Sequence, residues 1–255
     1  MKINYLYNEN CLDTMAIMED NFIDLTVTSP PYDNLREYNG YSFDFESVAK
    51  ELFRVTKEGG VVVWVVSDKT HKGSESLTSF KQALYFKEIG FNVHDTMIYK
   101  KNNIRPLTHN RYEQEFEYMF VFSKGKPNVF NAIKKDCVKQ PNKDTFLVRN
   151  ADGSEKRTIQ RKKERIIGNV WQYNTGMNLS TKDKIAFKHP AIFPEQLAYD
   201  HIKTWSNEND LIYDCFAGSG TIPKISLINK RQWIGSEISK EYCDIIHERL
   251  GGFFF

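Results

Sequence analysis

The segment Val61-Val62-Val63-Trp64-Val65-Val66 constrains the fold more than any other part of the chain. It is uniformly apolar, so it lacks the alternation of a strand that has one face in water, and its β-branched residues favour a strand over a helix. A strand that is buried on both faces belongs to a sheet covered by helices on each side. The segment therefore predicts a central strand of an α/β protein.

Short apolar runs alternate with longer segments of helical periodicity along most of the chain, which is typical of a mostly parallel sheet with crossover helices. The seven predicted strands cover residues 4–7, 24–28, 61–67, 93–100, 117–123, 211–214 and 233–235. The predicted helices cover residues 13–18, 45–56, 76–89, 195–205, 220–228 and 240–250. With 255 residues and 40% apolar composition, the chain can bury one substantial core.

The alternation fails between residues 125 and 187, where Lys, Asn, Gln and Thr dominate. Residues 124–188 contain 16 Lys and Arg against 6 Asp and Glu, although the whole chain has a net charge of only +2. We interpret residues 125–187 as an insertion that binds a polyanion, with a solvated loop as the alternative. Residues 1–124 and 188–255 would then be two halves of one domain.

The four cysteines, Cys11, Cys137, Cys215 and Cys243, lie far apart and form no C-x-x-C pair. This spacing predicts neither a disulfide framework nor a metal site. The chain also has no apolar run long enough for a signal peptide or for a membrane span of about 18 residues. We therefore expect a cytoplasmic protein without a membrane partner.

The segment Asp214-Cys215-Phe216-Ala217-Gly218-Ser219-Gly220-Thr221 joins a predicted strand to a predicted helix. Its small residues let the backbone approach a ligand, and the helix offers unpaired N–H groups. The next strand ends at Glu237, where a carboxylate can accept the hydroxyl hydrogens of a ribose. The spacing indicates a cofactor that contains adenosine, whereas a purely structural turn remains the alternative for the loop alone.

Three other glycine motifs do not match these residues. A P-loop requires G-K-[ST], whereas Thr221 and Ile222 follow Gly220; a hydrolase elbow requires a glycine where Ala217 stands. A dinucleotide fingerprint requires a third glycine where Pro223 stands. The loop therefore favours a nucleoside ligand over these three site types.

The tetrapeptide Ser29-Pro30-Pro31-Tyr32 follows the predicted strand at residues 24–28. Two prolines remove two backbone donors and leave carbonyl acceptors, which can bind the hydrogens of an exocyclic amine together with the Ser29 hydroxyl. Tyr32 offers a ring on which an extracted base could stack. These residues predict catalysis on an amino group; a rigid turn with a packed tyrosine is the alternative for the tetrapeptide in isolation.

With these motifs in this order, the chain resembles the β-class amino-methyltransferases of DNA, which use S-adenosylmethionine. Supporting similarities are His189-Pro190-Ala191-Ile192-Phe193-Pro194-Glu195, Gly168-Asn169-Val170-Trp171, and the strand segment Glu115-Phe116-Glu117-Tyr118. The family often has Gly-Asp after its first strand, where this chain has Asn8-Glu9-Asn10-Cys11. The resemblance implies a Rossmann-like methyltransferase fold whose target-recognition region is the insertion at residues 125–187.

The resemblance also implies roles for individual residues. The expected catalytic residues are Ser29, Pro30, Pro31 and Tyr32. The expected cofactor-binding residues are Asn10, Cys11, Thr28, Ser29, His189, Pro190, Phe193, Asp214, Phe216, Ala217, Gly218, Ser219, Gly220, Thr221 and Glu237.

Serine at the first position of the tetrapeptide is more usual in N4-cytosine enzymes of this family than in N6-adenine enzymes. We therefore expect methyl transfer to the exocyclic N4 of cytosine in double-stranded DNA, after flipping of the target base. N6-adenine methylation, RNA methylation and a binding module without catalysis remain alternatives. The resemblance allows a monomer or a homodimer, and a cognate restriction endonuclease on a separate chain.

Overall fold

The computed structural model describes residues 1–31, 43–103, 110–137, 145–154, 156–160 and 162–251. The strands are β1 (Tyr5–Tyr7), β2 (Ile23–Thr28), β3 (Thr56–Val66), β4 (Thr70–His71), β5 (Ser74–Glu75), β6 (Asn92–Lys101), β7 (Phe116–Ser123), β8 (Lys134–Asp136), β9 (Thr145–Arg149), β10 (Lys156–Gln160), β11 (Glu164–Ile166), β12 (Val170–Tyr173), β13 (Leu211–Asp214) and β14 (Gln232–Ser236). The helices are α1 (Cys11–Ala16), α2 (Phe45–Val55), α3 (Thr78–Glu88), α4 (Glu195–Trp205), α5 (Thr221–Ile228) and α6 (Lys240–Gly251), with a 3₁₀ helix at Lys184–Lys188.

The chain divides into two compact units. The larger unit contains Met1–Asn131 and Asn169–Phe255, and the smaller contains Ala132–Gly168. In the smaller unit, β9 pairs with β10 and β8 pairs with β11, both antiparallel. No described helix is long and apolar enough to cross a membrane.

The large sheet has eight strands in the order β1-β14-β13-β2-β3-β7-β6-β12. β7 runs antiparallel to β3 and β6, and all other neighbouring pairs are parallel. The carboxyl ends of seven strands therefore meet the beginning of β7 at one edge, which we call the ligand edge. Open α/β sheets bind their ligands at such an edge.

The central position of β3 is confirmed. The strand lies between β2 and β7, and every residue from Val61 to Val66 is at most 1% exposed. Trp64, on this strand, donates a hydrogen bond of 2.9 Å from Nε1 to Oε1 of Gln82 in α3. Its ring also packs edge-on against Phe86 of α3 at 5.2 Å. The tryptophan therefore fixes one covering helix to the sheet while its polar atom is satisfied.

The α/β class and the mostly parallel sheet are confirmed, and all seven predicted strands and six predicted helices are present. The predicted strand number was wrong, because β12 adds an eighth strand beside β6. β12 has only four residues, of which Trp171 and Tyr173 are buried, and it follows a long polar segment. Its position depends on backbone pairing with β6 rather than on a recognisable apolar run.

The first helix begins two residues earlier than predicted. Asn10 caps α1, because its side-chain oxygen accepts a hydrogen bond of 2.9 Å from the backbone N–H of Leu12. An N-cap asparagine satisfies one of the unpaired donors of a helix start. The cap therefore sets the beginning of α1 at Cys11.

Candidate active site

A cavity of about 1170 Å³ opens at the ligand edge of the larger unit. It extends from β14 and β13 past β2 and β3 to β7 and β6, and all of its described lining residues belong to this unit. Of the predicted cofactor residues, the lining includes Asn10, Cys11, Thr28, Ser29, His189, Pro190, Phe193, Asp214, Phe216, Ala217, Gly218, Ser219, Thr221 and Glu237. The structure thus brings nearly all of that set together.

Glu237, directly after β14, is held by two backbone donors. Its Oε2 accepts from the N–H of Gly218 at 2.9 Å, and its Oε1 accepts from the N–H of Ser239 at 2.8 Å. The residue is 9% exposed, and burial raises its pKa against the lowering effect of these hydrogen bonds. Each carboxylate oxygen keeps acceptor capacity, so this side chain can still receive the hydroxyl hydrogens of a ribose.

The loop after β13 approaches the cavity closely with its backbone. Gly218 has a φ of +53°, and a Cβ placed there would lie 3.2 Å from Nε2 of His189. Gly220 has a φ of +78° and lies against Ile246 of α6 instead of lining the cavity. Gly218 therefore leaves the ligand space open, while Gly220 lets the loop pack on α6.

Asp214, the last residue of β13, is tied to the neighbouring strand β2. Its Oδ1 accepts from Oγ1 of Thr28 at 2.8 Å and from the N–H of Phe216 at 3.2 Å. Burial raises the pKa of Asp214 to about 7, and the nearby Glu237 adds to this rise. The contact with Thr28 joins the β13 side of the cavity to the strand that precedes Ser29.

The tetrapeptide begins directly after β2. Ser29 and Pro31 line the cavity, and Pro30 is buried at the same strand end. Tyr32 lies outside the described residues. The described part therefore places the Ser29 side chain in the same cavity as Glu237, two strands away across β13.

The segment from His189 to Glu195 closes one side of the cavity. Nδ1 of His189 lies 2.7 Å from the carbonyl oxygen of Ala191, and its ring packs edge-on against Tyr242 at 4.3 Å. The hydroxyl of Thr221 donates to the carbonyl oxygen of Phe193 at 3.2 Å. These contacts connect the segment to α5 and α6. The segment therefore forms a continuous wall with the loop after β13 at residues 215–220, which we call the glycine loop.

Sequence reasoning did not place Tyr99 of β6 and Glu117 of β7 in the site. Tyr99, Lys101 and Glu117 line the cavity, and Nζ of Lys101 lies 2.6 Å from Oε1 of Glu117. It also missed Arg249, which contacts the glycine loop from α6. The alternation within β6 could have placed Tyr99 and Lys101 on one face, but their pairing with Glu117 depends on strand register.

The geometry fits a nucleoside-bearing ligand at the β13–β14 side. One end of the cavity is lined by the hydrogen-bonded carboxylate of Glu237 and by Gly218, which has no side chain to fill the ligand space. Pro190 and Phe193 form the wall at this end. The cavity is large enough to admit a second planar group beside Ser29. Two reactants could therefore meet at the carboxyl end of β2.

A family model described as "DNA methylase", for the N6 and N4 type, matches residues 23–248. The orphan methyltransferase M.BamHII of Bacillus amyloliquefaciens is 59% identical over 237 residues, which cover 91% of this chain and 89% of the relative. The type II methyltransferase M1.MboII of Moraxella bovis is 27% identical and covers 96% of this chain and 95% of its own length.

Two solved structures share the fold. The PvuII DNA methyltransferase, described as cytosine-N4-specific, superposes with a TM-score of 0.71 at 20% identity, covering 96% of this chain and 85% of that chain. M1.HpyAVI in complex with SAM superposes with a TM-score of 0.62 at 22% identity, covering 96% of this chain and 98% of that chain. Both superpositions extend over nearly the whole chain.

Proposed function

The chain belongs to the DNA methylase family of the N6 and N4 type, and we propose that it transfers a methyl group from S-adenosylmethionine to the exocyclic N4 of cytosine in duplex DNA. The observation that carries the proposal is the shared cavity, in which Ser29 lies beside the Asp214 and Glu237 sites. The identity of the target base rests on Ser29 and on the description of the PvuII enzyme as cytosine-N4-specific.

Residues at the β13–β14 side would hold the cofactor. Glu237 would accept hydrogens from its ribose, the loop from Phe216 to Ser219 would contact it through backbone, and His189 to Phe193 would form the opposite wall. Asn10 and Cys11, at the start of α1, complete this end. The bound cofactor supplies an electrophilic methyl group on a sulfonium sulfur.

Ser29 and Pro30 would orient the amine. The hydroxyl and the carbonyl oxygen can each accept one amine hydrogen, which turns the nitrogen lone pair out of conjugation with the base ring. Positioning of this kind, together with exclusion of water, provides most of the rate enhancement when the transferred group is already activated. Tyr32 would supply the stacking surface for the flipped base.

The segment 125–187 would recognise DNA. It contains the smaller unit, Ala132–Gly168, in which 11 Lys and Arg stand against 5 Asp and Glu. Phosphate contacts by such residues position a protein on a duplex and make its affinity salt-dependent. We further propose that the enzyme acts in the cytoplasm as a monomer or homodimer.

Transfer of a labelled methyl group to duplex DNA, single-stranded DNA and RNA tests the activity. We expect duplex DNA to be the preferred acceptor, and Ser29→Ala to lower the rate by about 100-fold or more. Ser74→Ala, at the exposed start of β5, is the matched control. Preference for RNA, or full activity in Ser29→Ala, would overturn the proposal.

A further inference from the structure

The cavity continues past Ser29, away from the proposed cofactor end. Along the ligand edge, β3, β7 and β6 follow β2, and adjacent strands lie about 4.8 Å apart. β6 therefore lies roughly 14 Å from β2, which leaves room for a nucleobase and its sugar. Tyr99 and Lys101 of β6 and Glu117 of β7 line this part of the cavity, which we call the base end.

The base end contains a closely spaced ion pair. Nζ of Lys101 lies 2.6 Å from Oε1 of Glu117, and the two side chains are 27% and 14% exposed. Glu117 pairs with Tyr99 in the register of β6 and β7. The pKa of Tyr99 is raised, mainly by burial and to a smaller extent by the negative charge of Glu117. A partly buried pair of this kind contributes little net stability, because desolvation offsets much of the attraction.

Lys101 is the only lysine or arginine among the described residues that line the cavity. The lining also includes five acids, which are Glu9, Asp44, Glu117, Asp214 and Glu237. An ammonium group has three donor hydrogens, and the bond to Glu117 uses one of them. Lys101 is therefore the strongest hydrogen-bond donor available to a neutral ligand at the base end.

A target base whose amine is held by Ser29 and Pro30 still has acceptor atoms that need donors. In cytosine the ring nitrogen N3 lies next to the carbon that carries the amine. Thymine has an N–H at that position, which would repel an ammonium group. A lysine donor at N3 would therefore orient the amine. It would also discriminate against a base, such as thymine, that has a donor hydrogen at this position.

We propose that Lys101, oriented by Glu117, donates a hydrogen bond to N3 of the flipped cytosine. The inference rests on the proposed function, since it presumes that an amino base enters this cavity. Lys101 is then a residue of the base site, and Glu117 is a positioning residue that acts through Lys101. A contact of Lys101 with a phosphate of the flipped nucleotide is the competing outcome.

A cycle of paired substitutions in enzyme and DNA separates these outcomes. The target site is first located by sequencing of methylated DNA. Two duplexes are then prepared that differ only in having cytosine or 3-deazacytosine at this site. Single-turnover methylation of each duplex is measured for wild type and for Lys101→Met. We expect Lys101→Met to lose about 10- to 100-fold on cytosine and less than about 3-fold on the analogue, which lacks the N3 acceptor. Equal losses on both duplexes would overturn the inference and indicate a phosphate or structural role.

Lys100→Met provides the matched control. Lys100 is the preceding residue of β6, its side chain points to the other face of the strand, and it forms an exposed pair with Glu115 at 3.2 Å. We expect Lys100→Met to show no coupling to the analogue. We expect Glu117→Gln to show coupling in the same direction as Lys101→Met, but smaller. Cofactor affinity should be unchanged in all three variants.

The result also distinguishes failure of this inference from failure of the proposed function. Wild type that transfers no methyl group to duplex DNA contradicts the proposed function itself. Transfer to cytosine N4 with equal losses on the two duplexes contradicts only the role of Lys101. Transfer to adenine N6 contradicts both the base assignment and the N3 contact.

Discussion

The guanidinium of Arg249 donates a hydrogen bond of 2.5 Å from Nη1 to the carbonyl oxygen of Ser219 in the glycine loop. The Arg249 side chain has no exposure to solvent, and it also pairs with Asp183 at 3.0 Å and with Glu195 at 2.8 Å. Lys224 contacts the same two acids, each at 2.7 Å. This network connects α4, α5 and α6 behind the loop that lines the proposed cofactor site.

Arg249→Met should destabilise the fold and weaken cofactor binding together. Removing one member of a buried ionic cluster leaves uncompensated charge, which typically costs about 3–5 kcal/mol in the free energy of unfolding. The loop also loses the donor to Ser219. Urea unfolding and calorimetric titration with S-adenosylmethionine measure the two effects.

Lys240→Met is the control for the loss of a charged pair. Lys240 pairs with Asp244 at 3.3 Å, and both side chains are more than 60% exposed. Such a pair contributes at most about 1 kcal/mol. If Arg249→Met were no more destabilising than this exposed variant, the network would have no role in anchoring the loop.

Glu237→Gln should weaken cofactor binding. A glutamine retains one oxygen acceptor but places an amide donor near the N–H of Gly218 or Ser239, and it removes the charge that a ribose hydroxyl would contact. We expect the dissociation constant for S-adenosylmethionine to rise about 10- to 100-fold. Glu241→Gln, exposed on α6, is the control, and unchanged affinity in Glu237→Gln would remove Glu237 from the cofactor site.

Asp214 should make the stability of the protein fall as the pH rises. Burial raises the pKa of Asp214 to about 7 from an ordinary value of 3.8. Between these values the folded protein retains a proton that the unfolded chain has released, so stability is lost as the pH rises towards 7. The loss from this group amounts to at most about 4 kcal/mol.

Asp214→Asn tests this dependence, because asparagine keeps an oxygen that can accept from Thr28 but does not ionise. Relative to wild type, the variant should become progressively more stable between pH 5 and about pH 7. Urea unfolding at several pH values measures the difference, with the exposed Asp244→Asn as control. Parallel curves for wild type and Asp214→Asn would show that Asp214 remains ionised throughout.

The two halves of the site differ in how far the sequence predicts them. The glycine loop and Glu237 can be recognised from the sequence alone. The loop follows one strand and Glu237 follows the next, and the ends of two adjacent parallel strands have a fixed relative position. The pairing of Lys101 with Glu117 depends on the register of β6 and β7, and the contact of Arg249 with Ser219 depends on the packing of α6. Neither relationship leaves a periodic pattern in the chain, so only the folded structure reveals them.

Gly220→Ala should be more destabilising than an alanine at another glycine of the same conformation. Gly220 has a φ of +78°, and a Cβ there would lie 2.9 Å from Cγ1 and Cγ2 of Ile246. Gly73 has a φ of +80° with no atom within 4 Å of such a Cβ. Gly73→Ala should cost about 1 kcal/mol from backbone strain alone, and Gly220→Ala about 1–3 kcal/mol more. Equal melting temperatures for the two variants would show that α6 does not restrict the loop.

We propose that the enzyme methylates the N4 amine of a cytosine held beside Ser29. Duplex DNA methylated by the purified enzyme is digested to nucleosides and measured by mass spectrometry against standards of N4-methyldeoxycytidine and N6-methyldeoxyadenosine. We predict N4-methyldeoxycytidine from wild type and a loss of about 100-fold or more in Ser29→Ala. N6-methyldeoxyadenosine as the product, or equal amounts of N4-methyldeoxycytidine from both enzymes, would contradict the claim.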